Sequence, residues 1–347
     1  MNNGRRHGRI NSKFGFFALM CATIFSVSYS LRSEKIDSPS FDDAPIRSPI
    51  QNPSWFKVSF LDFNEDVSEA RDSNKKAILI YFGQKYCPYC KQFLDNNFSK
   101  KDILHYTKKY FDVIAINVRG NRSVTNLAGK SMDEKQFAIS QGANFTPSLL
   151  FINLKGKKVL KLVGYQPPYR FRAAMEYVAD KHYQKETYSA YLRRAVRDDS
   201  VKTGKLNKQP FILKAATDLS KKRARPLLVM FEQSDCHSCD LLHTSPLKKK
   251  ESLEKLKKFS VVQLNMWSGN SVITPKGKRV VIKDWAEKLN VNYAPTLIFF
   301  DPNGNEVMRS ESVMHFYRLN SVLQYIVEKA YLKYKNYAEW KLGKSTK

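Results

Sequence analysis

Residues 77–93 read Ala-Ile-Leu-Ile-Tyr-Phe-Gly-Gln-Lys-Tyr-Cys-Pro-Tyr-Cys-Lys-Gln-Phe. The apolar run Ala77 to Phe82 has the length and β-rich composition of a buried strand. A short polar connection follows, then Cys87 and Cys90, with Pro88 in the first turn of the next helix. Proline fits there because that backbone position has no N–H partner within a helix. The positive end of the helix dipole favours a thiolate, so a cysteine placed there ionises well below the ordinary thiol range. The second cysteine, one turn on, can close a disulfide with little backbone movement. This is the geometry of a dithiol redox site. A lone Cys-x-x-Cys would be equally suited to a metal. Here a strand precedes it, a helix follows it, and the pattern returns later in the chain.

Around this stretch the first half reads in order. Asn64 to Asn74 is expected to be helical with Val67 and Ala70 inward, and Ile103, Leu104 and Tyr106 mark another helix. Phe111 to Val118 is a strand and Arg119 to Lys130 a polar loop. Ser131 and Glu134 have capping-box spacing and start a helix through Ser140. Asn144-Phe145-Thr146-Pro147 leads into a strand, Ser148 to Asn153. A turn at 154–157 and a partner strand, Lys158 to Val163, complete a hairpin. Gly164 precedes a last helix with Phe171, Ala174, Met175 and Val178 on its apolar face.

The pattern then repeats. Pro226 to Phe231 is a strand, Cys236-His237-Ser238-Cys239 the turn, and Asn292-Tyr293-Ala294-Pro295 leads into the strand Thr296 to Asp301. Phe137, Ala138, Asn144, Phe145 and Pro147 map onto Trp285, Ala286, Asn292, Tyr293 and Pro295 with a shift of 148, and Cys87 onto Cys236 with a shift of 149. Two copies of one domain account for this register.

Each half resembles a thioredoxin-fold domain: strand, Cys-x-x-Cys, helix, a strand opening with Thr146-Pro147 or Ala294-Pro295, a β-hairpin and a terminal helix. The fold class implied is α/β, two tandem thioredoxin-like domains, each a mixed central sheet flanked by helices. The resemblance implies that Pro147 and Pro295 are cis and lie beside the dithiols. It also implies that the loops at Thr146-Pro147 and Ala294-Pro295 bind substrate through their backbone. Tyr-Cys-Pro-Tyr-Cys is similar to glutaredoxin sites, and the tandem plan resembles protein disulfide isomerases. The leader and Gly164-Tyr165 look more like the exported bacterial thioredoxins of sulfur-oxidation clusters. The family's buried Asp, six residues before the first cysteine, is Tyr81 in one copy and Met230 in the other.

The expected organisation is a signal peptide or membrane anchor at 1–31, a flexible linker at 32–54 and a first thioredoxin-like domain at 55–185. A helical connector at 186–204 and a second domain at 205–347 follow. Residues 1–13 are polar and basic, and Phe14 to Leu31 is apolar, as in a secretory signal. Its 18 residues are also long enough to remain as a membrane tether. Of the net charge of +27, Arg5, Arg6, Arg9 and Lys13 belong to the leader. The rest is spread along the chain as in a lysine-rich solvated surface, and no nucleic-acid motif accompanies it. Cys21 reads as a bystander in the apolar stretch. The other four cysteines form two pairs of redox spacing, where a disulfide-stapled exported domain would scatter them.

Cys87, Cys90, Cys236 and Cys239 are therefore the expected catalytic residues, the first of each pair attacking and the second resolving. Two alternatives stay open: a structural disulfide in each pair, and zinc held by all four cysteines. Lys85 beside Cys87, against Glu232 and Asp235 near Cys236, makes the first pair the stronger centre. His237 reads either as a thiolate stabiliser or as a solvent-facing turn residue. Glu232 reads either as a replacement for the family's missing proton carrier or as a solvated acid at a strand end, and His243 and His315 read as surface or packing residues. Tyr331, Tyr334 and Tyr337 read as core packing on a terminal helix, or as its extension against the first domain. The function expected is an exported thiol–disulfide oxidoreductase of the periplasm, tethered or free. It would act on protein thiols and disulfides with a redox partner protein, and without bound cofactor, metal or nucleic acid. The competing reading is a non-catalytic binding or assembly factor.

Overall fold

The computed structural model describes residues 41–195, 204–213, 217–221 and 224–344. The expected leader, the start of the linker and residues 196–203 of the connector lie outside them. Among the described residues no helix is long and apolar enough to cross a membrane.

Helix α1 (Phe63–Asp72) starts where the Asp62 side chain accepts the N–H groups of Asn64 and Glu65, and it buries Phe63, Val67 and Ala70 at helical spacing. Strand β1 (Ala77–Gly83) is buried throughout, because helices cover both faces of its sheet. Helices α2 (Pro88–Phe98) and α3 (Lys101–Tyr110) lead to β2 (Phe111–Asn117), which runs parallel to β1. The expected polar loop contains a small hairpin, β3 (Ser123–Thr125) with β4 (Ser131–Asp133). Helix α4 (Glu134–Ser140) has its capping box two residues later than the spacing predicts: Asp133 is the cap and Gln136 its partner. Ser131 is taken up by β4, and the displaced acid, Glu134, turns inward to accept the backbone N–H of Asn117 at 2.9 Å.

The hairpin β5 (Ser148–Asn153) and β6 (Lys158–Val163) completes a mixed sheet ordered β2-β1-β5-β6. Helix α5 (Pro168–Ala179) buries Phe171, Ala174, Met175 and Val178 against it, each such side chain contributing roughly 1.5–3 kcal/mol where it is large and apolar. The connector helix α6 (Tyr188–Ala195) turns back onto α5 and adds Tyr188 to the same core.

The second domain repeats this plan with β7 (Leu227–Glu232), α7 (His237–Thr244), α8 (Lys250–Leu256) and β8 (Ser260–Asn265). The hairpin β9 (Ser271–Ile273) and β10 (Arg279–Val281) and the helix α9 (Ile282–Lys288) come next. Strands β11 (Thr296–Phe300) and β12 (Glu306–Ser310) and helices α10 (Phe316–Val327) and α11 (Tyr337–Lys344) complete it. Its sheet order, β8-β7-β11-β12, matches the first strand for strand.

The domains meet through equivalent surfaces. Ser312, which takes the place of Gly164 in the repeat, fills the space where a side chain on Gly164 would begin. Equivalent positions that touch each other behave like residues on a two-fold axis. Phe145 leaves its own domain and joins the core of the second, 5.4 Å from the Tyr337 ring. The three tyrosines do not share a helix: Tyr331 lies in a 3-10 turn, Tyr334 is partly exposed, and only Tyr337 enters α11 and packs on the first domain. Residues 41–54 contain no helix or strand but are held in place: Phe41 packs on Tyr89 and His315, and Asp43 is buried between the domains.

Candidate functional site

Cys87 is the N-cap residue of α2, and its sulfur accepts the N–H of Cys90 at 3.0 Å. Cys236 caps α7 in the same way, accepting from Cys239 at 3.1 Å. Each pair is closed as its own disulfide, Cys87 with Cys90 and Cys236 with Cys239. The two pairs therefore stand as separate centres in separate domains, which is not the arrangement of one zinc site built from all four.

The peptide bonds Thr146–Pro147 and Ala294–Pro295 are both cis. Cys87 Sγ lies 3.5 Å from the Thr146 carbonyl oxygen and 3.2 Å from Thr146 Oγ1, and Cys236 Sγ lies 3.5 Å from the Ala294 carbonyl oxygen. The structure thus brings together all eight residues singled out in the sequence, four at each centre. A disulfide sulfur has no proton to donate, so these contacts mark where a reduced thiol would find an acceptor. Cys90 and Cys239 are buried behind their partners, and Cys87 and Cys236 are only 2% and 7% exposed.

The cover comes from the domain interface. Arg318, near the start of α10, donates from Nη2 to the Thr146 carbonyl at 2.7 Å, with its guanidinium 3.4 Å from the centre of the Tyr89 ring. Asp43 accepts the Tyr89 hydroxyl at 2.9 Å and the backbone N–H groups of Tyr317 and Arg318. Arg170 sits 148 positions before Arg318 and does the converse. Its guanidinium lies over the Tyr293 ring at 4.5 Å and donates to the Asn292 carbonyl at 3.3 Å. Each domain thus lends an arginine to the proline loop of the other. Burial pushes the Tyr89 and Tyr293 phenols up and the Arg318 guanidinium down.

One expectation changes, and the histidine readings are resolved. Glu232 is not solvated: it is wholly buried at the end of β7, with Nε2 of buried His243 at 2.9 and 3.1 Å from its two oxygens. Burial of a carboxylate requires donors, and α7 and Gln263 supply them. His237 is exposed on the first turn of α7. His315 packs against Phe41. Sequence reading missed Asp43, Arg170 and Arg318, although the arginines share one position of the repeat.

A Cys-x-x-Cys at a helix N-terminus, facing the carbonyl before a cis-proline, defines the dithiol class of thioredoxin-fold domains. The family model of the thioredoxin-like domain matches residues 63–179 and 213–327, and the chain belongs to that family, with two copies of the domain. Among solved structures, a thioredoxin-fold protein from Helicobacter pylori is similar at 24% identity over 35% of this chain and 84% of its own, with a TM-score of 0.32. A thioredoxin from Thermus thermophilus is similar at 20% identity over 35% and 85%, with a TM-score of 0.29. A DsbH oxidoreductase is similar at 12% identity over 39% and 94%, with a TM-score of 0.28. No curated protein matches the chain.

Proposed function

We propose that the protein is a thiol–disulfide oxidoreductase that exchanges disulfides with protein substrates. The observation that carries this reading is the repeated contact of the helix-capping sulfur with the carbonyl before the cis-proline, at Cys87 with Thr146 and at Cys236 with Ala294. In the reduced state the first thiolate of each pair attacks a substrate disulfide. The second thiol then attacks the mixed disulfide, so that two electrons pass to the substrate and the pair is oxidised. Cys87, Cys90, Cys236 and Cys239 carry the exchange, and the Thr146-Pro147 and Ala294-Pro295 loops receive the substrate backbone. A redox partner protein restores the pairs.

The resemblance to exported bacterial thioredoxins leads us to place the protein outside the cytoplasm, in the periplasm, with residues 14–31 as signal or inner-membrane tether. A fusion of residues 1–54 to a reporter active only after export should be active, and a soluble inactive fusion would argue for a cytoplasmic protein.

A second reading is favoured by the covered loops. With Arg318 on the Thr146 carbonyl, the first domain is suited to holding the second rather than a substrate, as in a binding or assembly factor with structural disulfides. Insulin reduction separates the two. Turnover by the full chain with dithiothreitol, lost when Cys87 and Cys236 are both replaced by serine, supports exchange. A rate equal to dithiothreitol alone supports the scaffold.

A further inference from the structure

We infer that the first centre selects protein disulfides flanked by acidic side chains, through a set of four cations drawn from both domains: Lys85, Arg119, Arg318 and Lys341. The inference rests on the redox reading above and assigns a substrate class to one of its two centres.

The first domain supplies two of these cations. Lys85 and Arg119 are exposed, and Lys85 stands two residues before Cys87. Arg119 Nε donates to Gln84 Oε1 at 2.8 Å, and Gln84 Nε2 donates to Thr146 Oγ1 at 3.3 Å. That hydroxyl lies 3.2 Å from Cys87 Sγ. Two hydrogen bonds therefore tie the Arg119 guanidinium to the residue that flanks the attacking sulfur. The second domain supplies the other two. Arg318 holds the Thr146 carbonyl. Helix α11 docks on the first domain, where Asn336 just before it donates to the Ile139 carbonyl at 3.0 Å, and it carries Lys341 at the surface. Partial burial, then the positive charges of Arg119, Lys344 and Arg318, hold the Lys341 ammonium below its ordinary range. Lys341 thus shares one field with the two arginines. Lys344 is not counted, because Glu328 pairs with it at 3.0 Å. Asp43 offsets part of the Arg318 charge, but it is buried and already accepts from Tyr89 and two backbone N–H groups.

The second centre is an internal control. Lys85, Tyr86 and Arg119 correspond to Ser234, Asp235 and Trp267. Arg119 and Trp267 hold the same place, since the backbone N–H of each bonds the asparagine two residues before it, Asn117 or Asn265. The Trp267 indole donates to Gln233 Oε1 at 3.0 Å, the bond that Arg119 makes to Gln84, without the charge. Lys341 corresponds to Arg193 of α6, which is paired with Glu287 of α9; the position equivalent to Glu287 in the first domain is Ile139. Arg170 remains, with buried Glu311 close enough for the two charges to act on each other. Asp235 and Asp240 are exposed at the Cys236 turn. The fold therefore does not require cations around a dithiol, and their gathering at one of two equivalent centres points to a partner of opposite charge. A positive field focused at a site raises the local concentration and the encounter rate of anionic segments and repels cationic ones.

The exchange itself is the one proposed above. The Cys87 thiolate attacks a sulfur of the substrate disulfide, the bond to the other substrate sulfur breaks, and the departing thiolate takes up a proton. Cys90 then closes the ring and the second substrate sulfur leaves as a thiol. The substrate disulfide is the oxidant and the dithiol the reductant.

The test uses the full chain in two forms, one with Cys21, Cys236 and Cys239 replaced by serine and one with Cys21, Cys87 and Cys90 replaced by serine. Each is reduced, freed of reductant and mixed with peptides of one length. The single cysteine of each peptide is activated as its 2-pyridyl disulfide and flanked by aspartates, serines or lysines. Release of pyridine-2-thione gives the rate. The ratio of aspartate to lysine peptide cancels the thiolate fraction, and the second centre supplies the baseline set by the +27 charge of the whole chain. At low ionic strength that ratio should be roughly 10-fold larger at the first centre than at the second. Salt at about 0.5 M should remove most of the difference. Arg119→Gln with Lys341→Gln should reduce the first-centre ratio several-fold, and the charge-conserving Arg119→Lys with Lys341→Arg should keep it. Equal ratios at the two centres, a difference that salt leaves intact, no change in the glutamine variant, an equal loss in the charge-conserving one, or release at the second centre alone would overturn the inference. Absence of release from the serine peptide at both centres would instead overturn the redox reading on which it rests.

Discussion

Arg318 of the second domain and Thr146 of the first are joined by a 2.7 Å hydrogen bond, from the guanidinium Nη2 to the carbonyl oxygen that Cys87 Sγ also faces at 3.5 Å. One carbonyl therefore carries both the cation of one domain and the sulfur of the other. The bond covers the first centre and at the same time brings positive charge to it. These two effects have separable consequences.

Arg318→Ala removes the cation and the cover together. After reduction, alkylation of Cys87 should begin at a higher pH than in the parent protein, because a nearby positive charge favours the thiolate. The limiting rate at high pH should rise, because the sulfur is no longer enclosed. The variant should also lose about 1.5–3 kcal/mol of stability with the charged hydrogen bond. Iodoacetamide labelling followed by mass spectrometry at Cys87 reads both quantities. An unchanged onset and an unchanged limiting rate would show that Arg318 neither charges nor covers the site.

The interface should weaken in mild acid. Burial, the largest influence, lowers the His315 pKa from its ordinary value of 6.5, with Arg318 acting in the same direction and Asp42 and Asp43 opposing. The Tyr89 phenol that faces it is pushed up and stays neutral. The unfolded chain binds a proton at this histidine below pH 6.5 that the folded chain does not, so stability falls as pH drops from about 6.5 towards the lower folded value. Urea midpoints between pH 7.5 and 5.5 should decline, and His315→Phe should flatten that decline. A slope unchanged by the substitution would assign it to other groups.

Glu232 and His243 also make a stability prediction that does not depend on redox chemistry. His243→Leu alone leaves a buried carboxylate with one donor fewer and should cost about 3–5 kcal/mol. Adding Glu232→Gln should recover part of that loss, since the charge is gone. Urea unfolding of the two single variants and the double variant gives the coupling. Additive losses would mean that the pair does not interact.

Phe145 stands in the first domain but is buried, 3% exposed, in the core of the second. Phe145→Ala should destabilise by about 3–5 kcal/mol. Hydrogen exchange should rise at Tyr337–Lys344, across the interface from the substitution, as well as around Pro147. Protection unchanged in that helix would mean that the second core closes without Phe145.

The repeat and the helix-capping cysteines were legible in the residues themselves, whereas the mixed sheets and the cis positions were implied by the resemblance to thioredoxin-fold domains. An apolar run makes β1, a proline in the first turn makes the start of α2, and the same spacing recurs near 148 residues later. The inward placement of Glu232 and His243 was not legible. An acid after a strand looks solvated until the helix that faces it is known, and His243 becomes its partner only when α7 folds back across β7. The capping box of α4 was misplaced by two residues because Ser131 and Asp133 both precede an acid or amide at the right interval, and only strand pairing by Ser131 decides between them. The covering of the first centre lay furthest from sequence reach. It depends on Asp43, Thr146 and Arg318, and the arginine stands 172 positions after the carbonyl it holds. Local pattern decides which groups a domain contains, but which carbonyl a buried guanidinium will satisfy is decided by the docking of two surfaces, where leaving either group unpaired would cost more than the contact itself contributes.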